Sequence, residues 1–276
     1  MTFLNRRQFL KCSAMASLAL LPCSLFPGRR AGAAPVTPED NYYLSHRKEL
    51  TGAFQDVVKG ASQLLEPDLG PERTGKIARD AIAGFDMLLP ELPNVGGQKN
   101  LITSIVPIAA WYVALYGPMR ENGKTAEDVG RIIYELNRLQ FQSMSEPQSR
   151  AMSERLFSTK YVDKMREWAS WTQKKEYPAN WVARFVPGAG TDFDYGVDYT
   201  ECALVKYFNA RRVPELAPYV CLNDFPASRA YQSGLRRAGT VAMGDNLCDF
   251  RYKKGGAVIQ DWSTEINRIR QAAKKY

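Results

Sequence analysis

Residues 101–116, LITSIVPIAAWYVALY, are apolar on every helical face and carry no charge. A helix of this kind has no side that suits water, so it is covered all round, by lipid or by the rest of the protein. The run falls short of the roughly 18 uncharged residues that mark a membrane span, and Pro107 interrupts it. The sequence therefore predicts a buried central helix around which the remainder is built. With 276 residues and a hydrophobic fraction of 45%, the chain can supply that cover, as one large domain or two small ones.

The segments before this run read as helices. Between Glu39 and Leu65 the apolar residues Leu50, Phe54, Val57, Val58, Ala61 and Leu64 recur at helical spacing. Pro67 and Gly70 end that helix. Pro71 opens a second, PERTGKIARDAIAGFDMLL, which Pro90 and Pro93 stop. After the central run, Thr125-Ala126-Glu127-Asp128 reads as a capping box with Asp in place of the usual Glu or Gln, opening a helix to about Gln140. A further helix is expected from about Gln148 to Lys174, with Trp168 and Trp171 in the core or lining a groove. The texture changes near Tyr177. WVARFV and FDYGVDYT read as strands and ECALVKYFNARR as a helix. LRRAGTVAMG and NLCDFRYKKG read as a strand pair about a tight Gly244-Asp245-Asn246 turn. WSTEINRIRQAAKK is again helical. The fold class expected is α+β: a helical N-terminal half packed with a small antiparallel sheet and helices in the C-terminal half, as a single domain over residues 35–276.

Residues 1–34 stand apart. Arg6-Arg7 followed by Gln8-Phe9-Leu10-Lys11 resembles the twin-arginine export signal. An apolar stretch from Cys12 to Phe26 and the small residues Ala31-Gly32-Ala33-Ala34 follow. That is the order of a cleaved signal peptide. The expectation is export through the twin-arginine machinery to the periplasm or the cell exterior, with a membrane tether through the uncleaved segment or a lipid on Cys23 as alternatives. Setting residues 1–34 aside removes the basic residues Arg6, Arg7, Lys11, Arg29 and Arg30 and no acidic one, leaving 32 basic against 29 acidic residues. The remaining basic residues are dispersed, and a nucleic-acid partner needs a concentrated basic face, so that class is set aside.

Several chemistries are excluded by composition. His46 is the single histidine and lies early in the first helix, so a Ser-His-Asp triad would have to recruit it from there. There is no GxSxG, HExxH, phosphate loop or GxGxxG. Ser45-His46-Arg47-Lys48 has Ser-x-x-Lys spacing, which chance explains. No cofactor is indicated. What remains is a concentration of thiols and carboxylates in one region: Glu201-Cys202, Cys221 with Asp224, and Cys248-Asp249. The three cysteines admit several readings: small buried apolar residues; one disulfide with a free thiol; a thiolate nucleophile beside a proton-shuttling carboxylate; or, more weakly for want of any C-x-x-C, a zinc site. Cys202 lies near a predicted helix N-terminus, a position that lowers a thiol's pKa.

The order YTECALVKYF, then PELAPYVCLNDF, then MGDNLCDFRY resembles the L-2-amino-thiazoline-4-carboxylic acid hydrolase family. In that family a Glu/Arg-Cys-Ala helix is followed by Cys-x-x-Asp and then Gly-x-x-x-Cys-Asp-Phe-Arg. The stretch from Gly96 to Leu136 is also similar, so the resemblance spans roughly residues 95–255. The export signal is a departure from it. The resemblance implies a hydrolase for a small cyclic substrate with a non-peptide C–N or C–S system. The family's prototype substrate is a thiazoline amidine bearing a carboxylate, opened to a carbamoyl-cysteine. On this reading Cys248-Asp249 closes one wall of the site, with Cys221 and Asp224 facing it and Glu201-Cys202 at the helix start. Water or a thiolate adds to the amidine carbon, Asp224 or Glu201 serves as base and then acid, and Arg251 or Arg212 holds the substrate carboxylate. Strand alternation puts Cys248 and Asp249 on opposite faces, so Asp249 has a structural alternative: bonding the Gly244 turn or pairing with Arg251. The rival function is an exported, non-catalytic member that binds a small ligand or a metal.

Overall fold

A computed structural model describes residues 41–273. The twin-arginine signal, with Cys12 and Cys23, lies outside the described residues, as do the first residues expected in the opening helix. After a short helical turn at Tyr42–Ser45, helix α1 runs over Arg47–Leu88. It is broken at Gly70, whose φ of 77° and ψ of 164° are not helical. The two expected helices are thus present as two segments that meet at this break, placed where Pro67 and Pro71 flank a residue that tolerates a positive φ.

The central helix, α2, spans Val106–Glu121, with Pro107 in its first turn, where a missing N–H costs nothing. Ala109, Ala110, Tyr112, Leu115 and Met119 are fully or almost fully buried along it. It packs against α1, against α3 (Ala126–Gln142) and against the C-terminal helices. No described helix is long and apolar enough to cross a membrane. Helix α3 starts with the predicted capping box: the Asp128 amide donates to Thr125 Oγ1 at 3.2 Å and the Thr125 amide donates to Asp128 Oδ2 at 2.7 Å. The single helix expected over 148–174 is two, α4 (Glu146–Leu156) and α5 (Thr159–Thr172). Ser158 splits them by capping α5, accepting from the Tyr161 amide at 3.2 Å.

Three antiparallel strands follow in the order β1 (Val182–Pro187), β2 (Tyr195–Glu201), β3 (Cys248–Tyr252). Between β2 and β3 the chain makes helix α6 (Ala203–Ala210) and a helical ribbon. The ribbon comprises a 3-10 turn at Pro214–Leu216, α7 (Ala217–Val220), a 3-10 turn at Cys221–Asn223 and α8 (Asp224–Ala230). Helix α9, Trp262–Ala273, ends the description. The helical N-terminal half, the small antiparallel sheet and the C-terminal helices make the α+β arrangement expected from sequence. One cluster of buried apolar residues runs from Tyr43 through α2 to Ala272.

The strand predicted at LRRAGTVAMG does not form. Arg236 makes an isolated bridge to Arg251, and the chain then turns through a 3-10 segment at Val241–Met243. Side chains take over the backbone groups that a ladder would use: the Asp249 carboxylate accepts from the Gly239 amide and Asp245 accepts from the Thr240 amide. A Cβ at Gly239 would lie 2.6 Å from the Leu247 carbonyl oxygen, so this close crossing needs glycine. Strand β3 pairs instead with β2, in the register Tyr199↔Cys248, Val197↔Phe250 and Tyr195↔Tyr252.

Candidate active site

That register decides which side chains meet. Residues opposite one another in an antiparallel pair share a face. Tyr195, Tyr199, Cys248, Phe250 and Tyr252 line one wall of a cavity of about 360 Å³. The volume is within the roughly 300–1,000 Å³ of small-molecule sites. Asp249 and Arg251 fall on the opposite face, as alternation requires. The second wall is the helical ribbon. In a 3-10 turn, residues i and i+3 eclipse, so the turn at Cys221–Asn223 sets Cys221 and Asp224 on one side, and both line the cavity. Cys202, the N-cap residue of α6, lines it as well. Ile102, Ile105 and Ile108, leading into and along α2, supply apolar cover, and α4 and α5 complete the enclosure.

Three cysteines and one carboxylate from the sequence-derived set therefore converge. The cysteines are unpaired thiols. Among the described residues no group of His, Cys, Asp or Glu is arranged to hold a metal ion. Four other candidates lie off the cavity. Glu201 is bound by Lys175 at 2.6 Å and by Lys206, and these ammonium groups hold its carboxyl below the usual range, so it is a poor base. Asp249 is committed to the Gly239 amide rather than to the Gly244 turn or Arg251. Arg251 donates to the buried Asp198 at 2.7 Å, which Arg184 also meets at 2.7 Å. Arg212 is exposed, at a φ of 58° in the turn after α6. His46 stacks on Tyr42, with ring centroids 4.3 Å apart, and is not among the cavity residues.

The residue that sequence reasoning missed is Arg237. It is 3% exposed and lines the cavity. Its guanidinium donates to the Asp224 carboxylate and, at 3.1 Å, to the Cys221 carbonyl. It is sandwiched between Phe225 and Phe250, 5.0 Å from each ring centroid. Its Nε has no hydrogen-bond partner among the described residues. An arginine buried at such cost marks a place where structure has been given up for function. The sequence signal was faint: Arg236-Arg237 between small and apolar residues, of which alternation sends one outward and one inward. Asn223 adds a polar contact on the same wall, donating to the Tyr112 hydroxyl at 2.8 Å.

The electrostatics follow from burial. Desolvation raises Asp224 above the ordinary carboxylate range, although Arg237 pulls it down by charge and hydrogen bond. Desolvation also raises Cys202, partly offset by the Val205 and Leu204 amides and the Trp181 indole. It raises Cys221 well above the ordinary thiol value, against the pull of Arg237. It pushes Cys248 up to about 11, although the Val241 amide donates to its sulfur at 3.2 Å. All three thiols are therefore protonated at neutral pH. The site holds one carboxylate with a raised pKa, an arginine bonded to it, and neutral thiols in the wall.

Comparison with known proteins gives one family. The model described as L-2-amino-thiazoline-4-carboxylic acid hydrolase matches residues 106–252, just over half the chain, and this span contains Cys202, Cys221, Asp224, Arg237 and Cys248. Among curated proteins, human Prickle planar cell polarity protein 3 is 34% identical over 109 residues, covering 36% of this chain and 17% of that protein. The chain thus spans about a sixth of that relative's length. No solved structure matches.

Proposed function

The chain belongs to the L-2-amino-thiazoline-4-carboxylic acid hydrolase family, and we propose that it opens a small cyclic amidine by adding water across the ring, with Asp224 as base and then acid. One observation carries this reading: Asp224 is the single carboxylate among the cavity residues, it has a raised pKa, and it is fixed by a buried arginine within the family-matched span. A carboxyl group with a raised pKa is a better proton acceptor and is closer to its working pH.

For a thiazoline substrate arriving as its amidinium, the atoms balance as follows. Water's oxygen bonds to the amidine carbon while Asp224 takes one of its protons, and the C=N π electrons settle on nitrogen. The carbon–oxygen double bond then forms as the carbon–sulfur bond breaks, and Asp224 gives its proton to the departing sulfur. The hydroxyl proton left over is released to solvent, offsetting the one that the amidinium brought. Water is the nucleophile because burial keeps Cys202, Cys221 and Cys248 as neutral thiols. Arg237 holds Asp224 in place and tunes its pKa.

The raised thiol values also favour a second reading, in which the cavity binds a small ligand without turning it over. Ring-opening of L-2-amino-thiazoline-4-carboxylate by the purified protein, followed as thiol release, separates the two. Turnover that Asp224→Asn abolishes supports the hydrolase; binding with no turnover supports the alternative.

A further inference from the structure

The charges lining the cavity do not balance. Its charged residues are Arg155, Lys164, Asp224 and Arg237. Arg237 and Asp224 neutralise one another, and the three thiols are neutral. Arg155, on α4, interacts within the chain, and its charge acts on the Tyr161 and Tyr231 hydroxyls of the same cavity. Lys164, on α5, is different. Its side chain makes no hydrogen bond or ion pair with any described residue, yet it lines the cavity and the residue is half-buried. Its place follows from helix geometry: Tyr161, Lys164, Met165 and Trp168 fall at i, i+3, i+4 and i+7 on one stripe of α5. Met165 and Trp168 are buried there, and Tyr161 and Met165 line the cavity with Lys164. The remaining walls near α5 are largely apolar, and an uncompensated ammonium attracts an anion more strongly in such surroundings than in water.

We propose that Lys164 binds the carboxylate of the small-molecule substrate and makes the cavity selective for anions over neutral rings of the same shape. This assigns to α5 the recognition role that Arg251 and Arg212, both away from the cavity, are not placed to perform. The ligand would then span the site, with its carboxylate at Lys164 and its reacting carbon at Asp224. The proposal rests on the cavity's being the substrate site, but not on turnover.

Calorimetric titration with thiazole-4-carboxylate and with the neutral thiazole-4-carboxamide tests it. The wild-type protein is expected to prefer the carboxylate by roughly ten- to a hundredfold, the range of one charge-assisted hydrogen bond. Lys164→Met is expected to erase that preference while leaving amide affinity within about twofold, a control for folding. Lys164→Arg is expected to keep most of it. Equal carboxylate affinity in wild type and Lys164→Met overturns the proposal, as does a wild-type protein that binds both probes equally or neither. Where Asp224→Asn abolishes turnover but Lys164→Met leaves carboxylate binding unchanged, this proposal falls alone. Where Lys164-dependent binding occurs without turnover of the thiazoline, the hydrolase reading falls alone.

Discussion

Asp224 and Arg237 form the pair on which the proposed chemistry turns. A base must be ionised to accept a proton, so activity is lost as pH falls through the pKa of Asp224. Because burial raises that pKa, the acid limb of kcat/KM is expected above the ordinary carboxylate range. Arg237→Met removes the cation that pulls the value down, so the limb is expected to move further up; an unmoved limb would show that Arg237 does not tune Asp224. The thiols give an independent check. With Cys248 pushed up to about 11 and Cys221 well above its usual value, iodoacetamide at pH 7 is expected to alkylate the native protein at least about tenfold more slowly than the unfolded chain. One thiol reacting faster than in the unfolded chain would restore the thiolate route. At this scale the sequence was partly legible. Thiols and carboxylates crowd one region, and the Cys-x-x-Asp spacing puts two of them on one side of a turn. Arg237 was hidden because its partners, Asp224 and Phe225 before it and Phe250 after it, lie on separate elements and meet it only through packing.

Elements were legible where local chemistry dictates them. The capping box at Thr125, the kink at Gly70 and the strands β1 and β2 follow from residue type and spacing. The segment 235–243 was misread because its apolar alternation resembles a strand, while the Asp245 and Asp249 carboxylates, aimed back at it, replace the ladder. That loop turns Arg237 inward. The ribbon carrying Cys221 and Asp224 depends on a different close contact. Gly130 of α3 faces Tyr219 of α7, and a Cβ there would lie 2.6 Å from the Tyr219 Cβ. Alanine in a helix normally gains about 1 kcal/mol over glycine, but here the clash outweighs the gain. Gly130→Ala is expected to destabilise the protein by roughly 1–3 kcal/mol and to lower turnover by moving the ribbon, as chemical denaturation and initial rates would show. A variant as stable as wild type would mean that the ribbon is not held by this packing.

In the whole molecule, the cavity lies where the helical half meets the sheet. The uncharged run at residues 101–116 announced a buried helix, and α2 is that helix. Its leading turns, together with α4 and α5, close the space that β2, β3 and the ribbon leave open. That meeting of halves could not be read from the C-terminal motifs, because Lys164 and the apolar cover lie outside them in sequence. It also explains why Asp249 and Arg251 belong to other networks: the sheet has two faces, and only one looks inward. In the proposed reaction Asp224 moves the protons of a ring-opening hydrolysis in this cavity. The most direct measurement is thiol release from L-2-amino-thiazoline-4-carboxylate by wild type and Asp224→Asn under identical conditions. Turnover is expected from the wild type, with a fall of roughly a hundred- to ten-thousandfold in kcat for a folded variant; a folded Asp224→Asn protein that keeps the wild-type rate would show that Asp224 does not move these protons.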